Sequence, residues 1–431
     1  MEVDRSPNDD AASRALFVLS VGVFLIGGFL SSAISLLVPR LIIILGLDYA
    51  RALLVQFAYH ISCLIFAVPV GFWIVRVGHM RSMATGLWVM AVGCVVLTLA
   101  GQLRSLPLVL LALVILSTGM AFLQISANLV AGLTGTAQHS VARLTMLQGF
   151  NSIGTVAGPL VAAVFLLSSI EPRTSASQLW SYAPFLMSAV LIGALAFAFT
   201  RRQDMLGPPR PEPIRIMSRK MAVLICSRRM LAGTCAMFAY VGTEVTIGTL
   251  LPNFLMLEST IHARPVIAGQ LTSLYWFGAM IGRFAGAHLL RRCNAGGLLA
   301  LIGVIAFALV IGGSLSTGVP AASMLIAVGL CNSIMYPTIY ALTLPPGETE
   351  ARLGSMLLCM AVAGGAVIPL LTGMFADYVG LAIALLLPAT CYGIVAAYGW
   401  QQRRLAQSCS DEYRAEHSKR RLAASEINRR G

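Results

Sequence analysis

The sequence predicts an all-α membrane protein in which twelve transmembrane helices form two six-helix bundles. Three observations lead to this fold class. Hydrophobic residues make up 58% of the 431 residues and charged residues only 11%, whereas about a quarter of a soluble protein is charged. Twelve separate stretches are apolar over the roughly 20 residues that a bilayer crossing requires. A charged, proline-rich segment divides these stretches into two sets of six.

The dividing segment, residues 201–230, differs from its surroundings in charge and in proline content. It contains eight Arg or Lys residues and four prolines, so we predict a solvated linker rather than a membrane span. We predict a cytoplasmic N-terminus (residues 1–14), an N-terminal bundle (15–200), the linker (201–230), a C-terminal bundle (231–400) and a basic cytoplasmic tail (401–431).

The twelve predicted spans are numbered here in chain order. Spans 1 to 6 cover residues 16–39, 52–75, 83–101, 107–133, 144–168 and 179–200. Spans 7 to 12 cover residues 231–257, 267–290, 297–315, 320–344, 353–378 and 381–400. The segment before span 1 is acidic and lacks the basic stretch of a signal peptide, so span 1 is expected to be a true membrane span.

Basic residues are distributed unequally between the two sides of the predicted membrane domain. With the N-terminus inside, 24 of the 30 Arg and Lys residues fall in cytoplasmic segments and five fall on the other side. Cytoplasmic loops carry such an excess, so both termini and the linker are predicted to be cytoplasmic. Because the net charge of +13 is spread along one membrane face, no nucleic-acid partner is expected.

Matching motifs relate the two halves of the chain. Span 2 ends with Gly71-x4-Arg76 and span 8 with Gly286-x4-Arg291, while Gly154-x4-Pro159 in span 5 corresponds to Gly364-x4-Pro369 in span 11. The halves are therefore predicted to be parallel repeats. Transporters built in this way hold their substrate at the interface between two six-helix halves.

Five segments carry more specific motifs: Leu54–Ala58, Ala142–Thr155, Tyr240–Val245, Tyr275–Arg283 and Asn332–Pro337. They resemble the fucose–glucose–galactose permeases, the sugar:proton symporter branch of the major facilitator superfamily. The resemblance implies the major facilitator fold, a bacterial inner-membrane location, and a monosaccharide or related polyol as substrate, taken up with H⁺. A monomer embedded in the lipid bilayer is expected.

Two positions depart from the pattern of that family. Ser35 stands four residues before Pro39, and Gln124 precedes the Ala-Asn128 pair of span 4; the resemblance implies an acidic residue at each of the two positions. Both side chains are neutral in this chain. An uncoupled facilitator therefore stays open as an alternative to a proton symporter.

Polar side chains inside spans are expected to face a partner or a wet cavity. On span 5, Gln148, Asn151, Ser152 and Thr155 share one helical face. Carboxamides offer both donors and acceptors to a neutral polyhydroxylated substrate, although they also form hydrogen bonds between helices. Tyrosine rings can stack on a sugar or fill a core. The predicted substrate-binding residues are Gln124, Asn128, Gln148, Asn151, Ser35, Tyr59, Tyr240, Tyr275 and Tyr336.

Glu244 in span 7 and Arg283 in span 8 are charged residues placed well inside predicted spans. A lone charge at the bilayer centre costs about 2.5 to 3.5 kcal/mol on insertion scales, so we predict that the two residues pair. The pair either has a structural role or carries the coupled proton on Glu244 while Arg283 holds the carboxylate in the other state. His60 in span 2 is a third protonatable candidate.

Other classes of function have less support in the sequence. Drug efflux would favour a more apolar cavity than the carboxamide face of span 5 offers. A non-transporting sensor would need an effector domain, for which the linker and tail are short. We find no ATP-binding loop, no catalytic cluster and no metal-ligand spacing among the nine cysteines, so neither an enzyme nor a cofactor is predicted.

Overall fold

The computed structural model describes residues 7–133, 137–168, 179–201, 221, 223–290, 292–345 and 348–430, which contain helices and no strand. Span 1 consists of two consecutive helices, and each of spans 2 to 6 is a single helix. Span 1 is Pro7–Ser35 followed by Leu37–Leu45, span 2 is Tyr49–Val77 and span 3 is His79–Gln102. Span 4 is Leu106–Leu133, span 5 is Ala137–Leu166 and span 6 is Ala183–Thr200.

The C-terminal half contains more interruptions. Spans 7 to 9 are single helices, whereas spans 10 and 12 are each divided in two and span 11 contains a short 3₁₀ turn. Span 7 is Arg228–Met256, span 8 is Pro265–Leu289 and span 9 is Ala295–Leu315. Span 10 is Gly318–Asn332 followed by Met335–Thr343, and span 12 is Leu381–Ala384 followed by Leu386–Arg430. Span 11 consists of Glu348–Met360, the 3₁₀ turn Ala361–Ala363 and Gly364–Val379.

The predicted fold class is confirmed. Among the described residues, eleven of the spans are long and apolar enough to cross a membrane. The twelfth, span 8, is a 25-residue helix whose apolar character is reduced by Gln270, Arg283 and His288. Because the spans alternate in direction, the start of span 1, the end of span 6, the start of span 7 and the end of span 12 share one membrane face, called the terminal face; the other is called the opposite face.

Prolines account for the interruptions in spans 1, 10 and 12. A proline has no backbone N–H, so it cannot donate to the carbonyl group four residues earlier, and the helix kinks or breaks there. Pro39 follows the break after Ser35 in span 1, and Pro337 follows the break at Ser333 in span 10. Pro388 has the same position relative to the break in span 12.

Span 12 is longer than the sequence analysis predicted. The predicted span ends at Trp400, but the helix continues to Arg430. Residues 401–430 are rich in Ala, Arg, Gln and Glu, which are good helix formers. The basic tail is therefore a helical extension rather than an irregular segment.

The packing repeats between the two halves. In the N-terminal bundle, span 1 packs on span 5, span 2 on span 4, and span 3 on spans 4 and 6. In the C-terminal bundle, span 7 packs on span 11, span 8 on span 10, and span 9 on spans 10 and 12. Adding six to each span number of the first set gives the second set, as parallel repeats require.

The glycines of the span 5 and span 11 motifs permit close approach of two helices. A Cβ atom at Gly154 would collide with the carbonyl oxygen of Leu25 in span 1, and one at Gly364 with the carbonyl oxygen of Phe238 in span 7. Small residues of this kind are common where membrane helices pack closely. The repeated motif thus has the same packing role in both bundles.

We expect Gly154→Ala to destabilise the N-terminal bundle by about 1 to 3 kcal/mol, because the added methyl group has to push spans 1 and 5 apart. The thermal unfolding midpoint of the purified protein in detergent measures the effect. Gly193→Ala in span 6 is the matched control, since a Cβ atom there meets nothing within 4 Å. Equal midpoints for the two variants would contradict the packing role of Gly154.

Candidate functional site

The two bundles meet along a contact zone called the bundle interface, formed by spans 1, 2 and 5 and by spans 7, 8 and 11. Spans 2 and 11 pack together, as do spans 5 and 8, and span 1 contacts span 7. A molecule that passes between two such bundles has to pass the side chains at this interface. These side chains are therefore the candidates for a substrate pathway.

A carboxylate joins the bundles at the opposite face. Asp377, near the end of span 11, accepts hydrogen bonds from the backbone N–H groups of Tyr49 at 2.8 Å and Ala50 at 2.9 Å. These are the first two residues of span 2, whose N-terminus carries a partial positive charge. Close contact of Gly269 in span 8 with Ala163 in span 5 adds a second point of closure at this face.

Ser35 lies at the centre of a hydrogen-bonded group that crosses the bundle interface. Its Oγ accepts from Gln56 Nε2 at 3.4 Å and from Thr249 Oγ1 at 3.3 Å. Thr249 belongs to span 7, so this group links the two bundles. All three side chains are buried. Ser35 therefore has neutral partners where the family resemblance implies an acid.

His60 lies one turn after Gln56 in span 2 and also faces the other bundle. Its Nδ1 is 3.0 Å from the Gln56 carbonyl oxygen, and its ring lies against Gly365 in span 11. The ring of Tyr59 packs edge-on against His60, with centroids 5.0 Å apart. Tyr59 and His60 are both buried, so the structure places them within helix packing in this conformation.

Arg283 makes a further direct polar contact between the bundles. Its Nη1 donates to Ser152 Oγ in span 5 at 2.6 Å. Hydrogen bonds to a charged group contribute about 1.5 to 3 kcal/mol, so this contact favours the arrangement of spans 5 and 8 that the structure shows. Ser152 itself also donates to the backbone carbonyl of Gln148 at 3.0 Å.

Glu244 and Arg283 do not form the direct ion pair that the sequence analysis predicts. The carboxyl group of Glu244 interacts with the Tyr240 hydroxyl group one helical turn away, and it interacts with Arg283 electrostatically. No contact within 4.0 Å joins these two described side chains. The physical reason is that Arg283 extends towards Ser152 on the other bundle, whereas Glu244 stays within its own.

The predicted polar face of span 5 is divided between two environments. Asn151 Nδ2 donates to the backbone carbonyl of Phe24 in span 1 at 3.1 Å, so this side chain helps to pack the N-terminal bundle. Gln148 is exposed and lies one helical turn from Ser152, on the side of span 5 that meets Arg283. Of the two, Gln148 is the residue that is exposed and that shares the helical face of Ser152, which contacts the other bundle.

Tyr240 and Tyr275 lie inside the C-terminal bundle rather than at its surface. Tyr240 donates to the Asn332 backbone carbonyl at 3.0 Å, Asn332 Nδ2 donates to the Tyr275 hydroxyl oxygen at 2.6 Å, and Tyr392 donates to Asn332 Oδ1 at 2.7 Å. All four residues are buried. The network ties spans 7, 8, 10 and 12 together, so these tyrosines have a packing role in this conformation.

The remaining predicted residues have less structural description. Tyr336 is partly buried and stacks on Tyr340, with ring centroids 6.1 Å apart. The side chains of Gln124 and Asn128 lie outside the described residues. Their predicted contact with substrate stays a prediction.

The structure adds residues that the sequence analysis did not select. These are Gln56, Thr249 and Asn332, which hold the polar groups described above. Gln56 and Asn332 both belong to segments that resemble motifs of the sugar permeases, and this resemblance is the signal that could have identified them. Thr249 lies in an apolar stretch and offered no such signal.

The bundle interface is chemically suited to a neutral ligand. In the part of the interface that the structure describes, Ser35, Gln56, Ser152 and Thr249 supply hydroxyl and carboxamide groups, which can both donate and accept. Among the described residues, no group of three His, Cys, Asp or Glu residues is placed to hold a metal ion. A ligand with several hydroxyl groups matches this set of donors and acceptors.

Comparison with known proteins agrees with this architecture. The family model of the Major Facilitator Superfamily matches residues 19–344. A glucose/galactose transporter of Brucella abortus is 33% identical over 381 residues, which cover 88% of this chain and 91% of the relative.

Two further similarities concern fucose transport proteins. An L-fucose-proton symporter of Escherichia coli K12 is 24% identical over 420 residues, covering 91% of this chain and 94% of the symporter. The crystal structure of a fucose:proton symporter from Escherichia coli superposes with a TM-score of 0.68 at 21% identity, covering 90% of this chain and 98% of that protein. This structural likeness shows the shared fold.

We expect Asp377→Ala to open the opposite face. The substitution removes the carboxylate with which span 11 of the C-terminal bundle caps the start of span 2 in the N-terminal bundle. For an exposed site the lost interaction is worth about 1 kcal/mol, which changes the ratio of open to closed molecules about fivefold. Pulsed electron paramagnetic resonance between spin labels at Leu103 and Val319, exposed positions on that face, should show longer distances.

The control for this measurement is Asp48→Ala. Asp48 is also a carboxylate at the opposite face, but it accepts from Arg51 N at 3.0 Å within its own bundle. Its replacement should leave the label distances unchanged. Identical distance distributions for wild type and Asp377→Ala would show that Asp377 does not hold this face closed.

Proposed function

Since the chain belongs to the major facilitator superfamily of membrane transporters, we propose that it carries a monosaccharide or a related polyol across the membrane by alternating access. The substrate class rests on the names of the relatives and on the neutral hydrogen-bonding groups of the bundle interface. We further propose that the protein lies in a bacterial inner membrane as a monomer, with its terminal face in the cytoplasm, and that it takes up sugar together with H⁺.

The observation that supports a central pathway most directly is the environment of Gln148. Its carboxamide is exposed, and it lies one turn from Ser152, the residue through which span 5 contacts the C-terminal bundle. The bundles are closed at the opposite face by Asp377. In this proposal, Gln148 meets a substrate that enters or leaves on the terminal side.

Proton coupling is assigned to Glu244. It is a carboxyl group in the middle of span 7, and Arg283 acts on it electrostatically. Arg283 donates to Ser152 in this conformation. When the bundles separate at spans 5 and 8, Arg283 loses that partner and can pair with Glu244, which would then release its proton. This exchange of partners would link the protonation of Glu244 to the movement of the bundles.

An uncoupled facilitator is the second candidate function. It is favoured by Ser35, which is buried and bonded to the neutral side chains of Gln56 and Thr249. A serine hydroxyl group does not titrate in the physiological pH range, so this position cannot carry a proton. The two candidates share the substrate pathway and differ only in energy coupling.

The substrate is tested by uptake of a panel of radiolabelled monosaccharides, including fucose, glucose and galactose, into proteoliposomes. We expect at least one sugar to be transported and Gln148→Ala to weaken its apparent affinity about two- to tenfold, as the loss of one neutral hydrogen bond does. Gln401→Ala, at an exposed position beyond the bundle interface, serves as the control. Transport of no sugar, or unchanged affinity in Gln148→Ala, would contradict the proposed site.

Coupling is tested with Glu244→Gln. We expect this variant to lose accumulation driven by an inward pH gradient and to retain sugar exchange at equal concentrations, because glutamine keeps the shape of the side chain but cannot bind and release a proton. Glu258→Gln, at an exposed position of the opposite face, should behave as wild type. Gradient-driven accumulation that persists in Glu244→Gln would show that the coupled proton is carried by another group. A wild type that equilibrates sugar but does not accumulate it under the gradient would leave the facilitator as the function of this chain.

A further inference from the structure

A narrow cleft opens at the opposite face of the N-terminal bundle, among the ends of spans 1, 3, 4 and 6. Its empty space is about 370 Å³ when the open solvent at its mouth is counted. One wall is apolar and includes Leu41, Ile44 and Leu45, while Arg40 and Arg104 supply the charged part. The residues that line the cleft include two arginines and no acidic residue. The cleft is therefore cationic.

Arg40 is buried next to this cleft, with a relative exposure of 3%. Its Nη1 donates to the backbone carbonyl of Leu166, and its guanidinium group lies over the Tyr182 ring at 5.0 Å from the centroid. Its Nε has no hydrogen-bond partner. A buried guanidinium group is expected to have a counter-charge. A carbonyl group and an aromatic ring do not neutralise it.

Arg104 lies across the cleft in the turn between spans 3 and 4. Its backbone has a positive φ of 50°, a conformation that non-glycine residues rarely adopt, and its side chain is exposed. The hydroxyl group of Ser105 lines the same cleft. One buried and one exposed arginine, with a hydroxyl group beside them, form a set of donors that suits a phosphate group.

We propose that this cleft binds a phosphate-bearing anion, and that an anionic phospholipid of the surrounding leaflet supplies it. The phosphate group would lie between Arg40 and Arg104, and an acyl chain would lie along Ile44 and Leu45, which are both partly buried. The position supports a lipid source, because the cleft is at the end of span 1, where headgroups border the hydrocarbon region. Basic pockets between membrane helices bind lipid headgroups by the same chemistry.

The proposal is tested on the purified full-length protein in a neutral detergent, by thermal unfolding during titration with phosphatidylglycerol. We expect the lipid to raise the unfolding midpoint of the wild type, and the half-saturating lipid concentration to increase about tenfold in Arg104→Gln, since one charge-assisted contact is lost. Arg104 is exposed, so this variant is expected to fold. Arg40→Lys keeps the charge but loses the planar fork of donors. Its half-saturating lipid concentration should increase less than that of Arg104→Gln.

The matched control is Arg264→Gln, which removes an exposed arginine of the opposite face away from the cleft. If Arg264→Gln and Arg104→Gln weaken the response equally, the lipid is attracted by general surface charge and the cleft is not a site. If uncharged diacylglycerol stabilises the wild type as strongly as phosphatidylglycerol, no phosphate is recognised. If inorganic phosphate alone gives the full Arg104-dependent response, the source is a soluble anion and the lipid assignment is wrong.

Discussion

Contact between the two bundles, in which hydrogen bonds join helices that also pack on one another, is the feature on which the rest of the structure depends. Within each bundle, helices approach closely at glycines such as Gly154 and Gly364, and a buried network around Asn332 ties four spans together. Between the bundles, the polar contacts of the described residues include those of Asp377, Ser35 and Arg283. Each contributes on the order of 1 to 3 kcal/mol, so bundles can separate while staying intact themselves.

Contacts within a bundle are stronger than contacts between the bundles, and this difference determines which residues can take part in a transport cycle. Tyr240 and Tyr275 are held by the network inside one bundle and would move with it as a unit. Ser152 and Arg283 belong to different bundles, so their hydrogen bond has to break when spans 5 and 8 separate. The hydrogen bond from Thr249 to Ser35 likewise has to break when spans 1 and 7 separate. Residues with partners on the other bundle can therefore respond to the conformational state.

The sequence predicted the fold well because fold and sequence are linked here by simple rules. A bilayer requires long apolar helices, and the prolines and glycines repeat at matching positions in both halves. It predicted the site less well. Helical periodicity places Gln148 and Asn151 near one another, but only the structure shows that Asn151 donates to Phe24. Whether a tyrosine such as Tyr275 faces a cavity or a neighbouring helix depends on contacts between distant residues, which no local pattern contains.

Glu244 and Arg283 do not form the predicted ion pair, and the physical reason bears on proton coupling. A guanidinium group inside a bilayer has to be compensated, and here the Ser152 hydroxyl group contributes a hydrogen bond but no negative charge. Arg283 acts electrostatically on Glu244, which lies beyond 4.0 Å from it. A cation with a neutral close partner and a more distant carboxylate can move between the two when the neutral partner is withdrawn. Since Ser152 lies on the other bundle, its withdrawal is the motion that alternating access requires, and this is why the proposed proton site and the bundle interface depend on the same arginine.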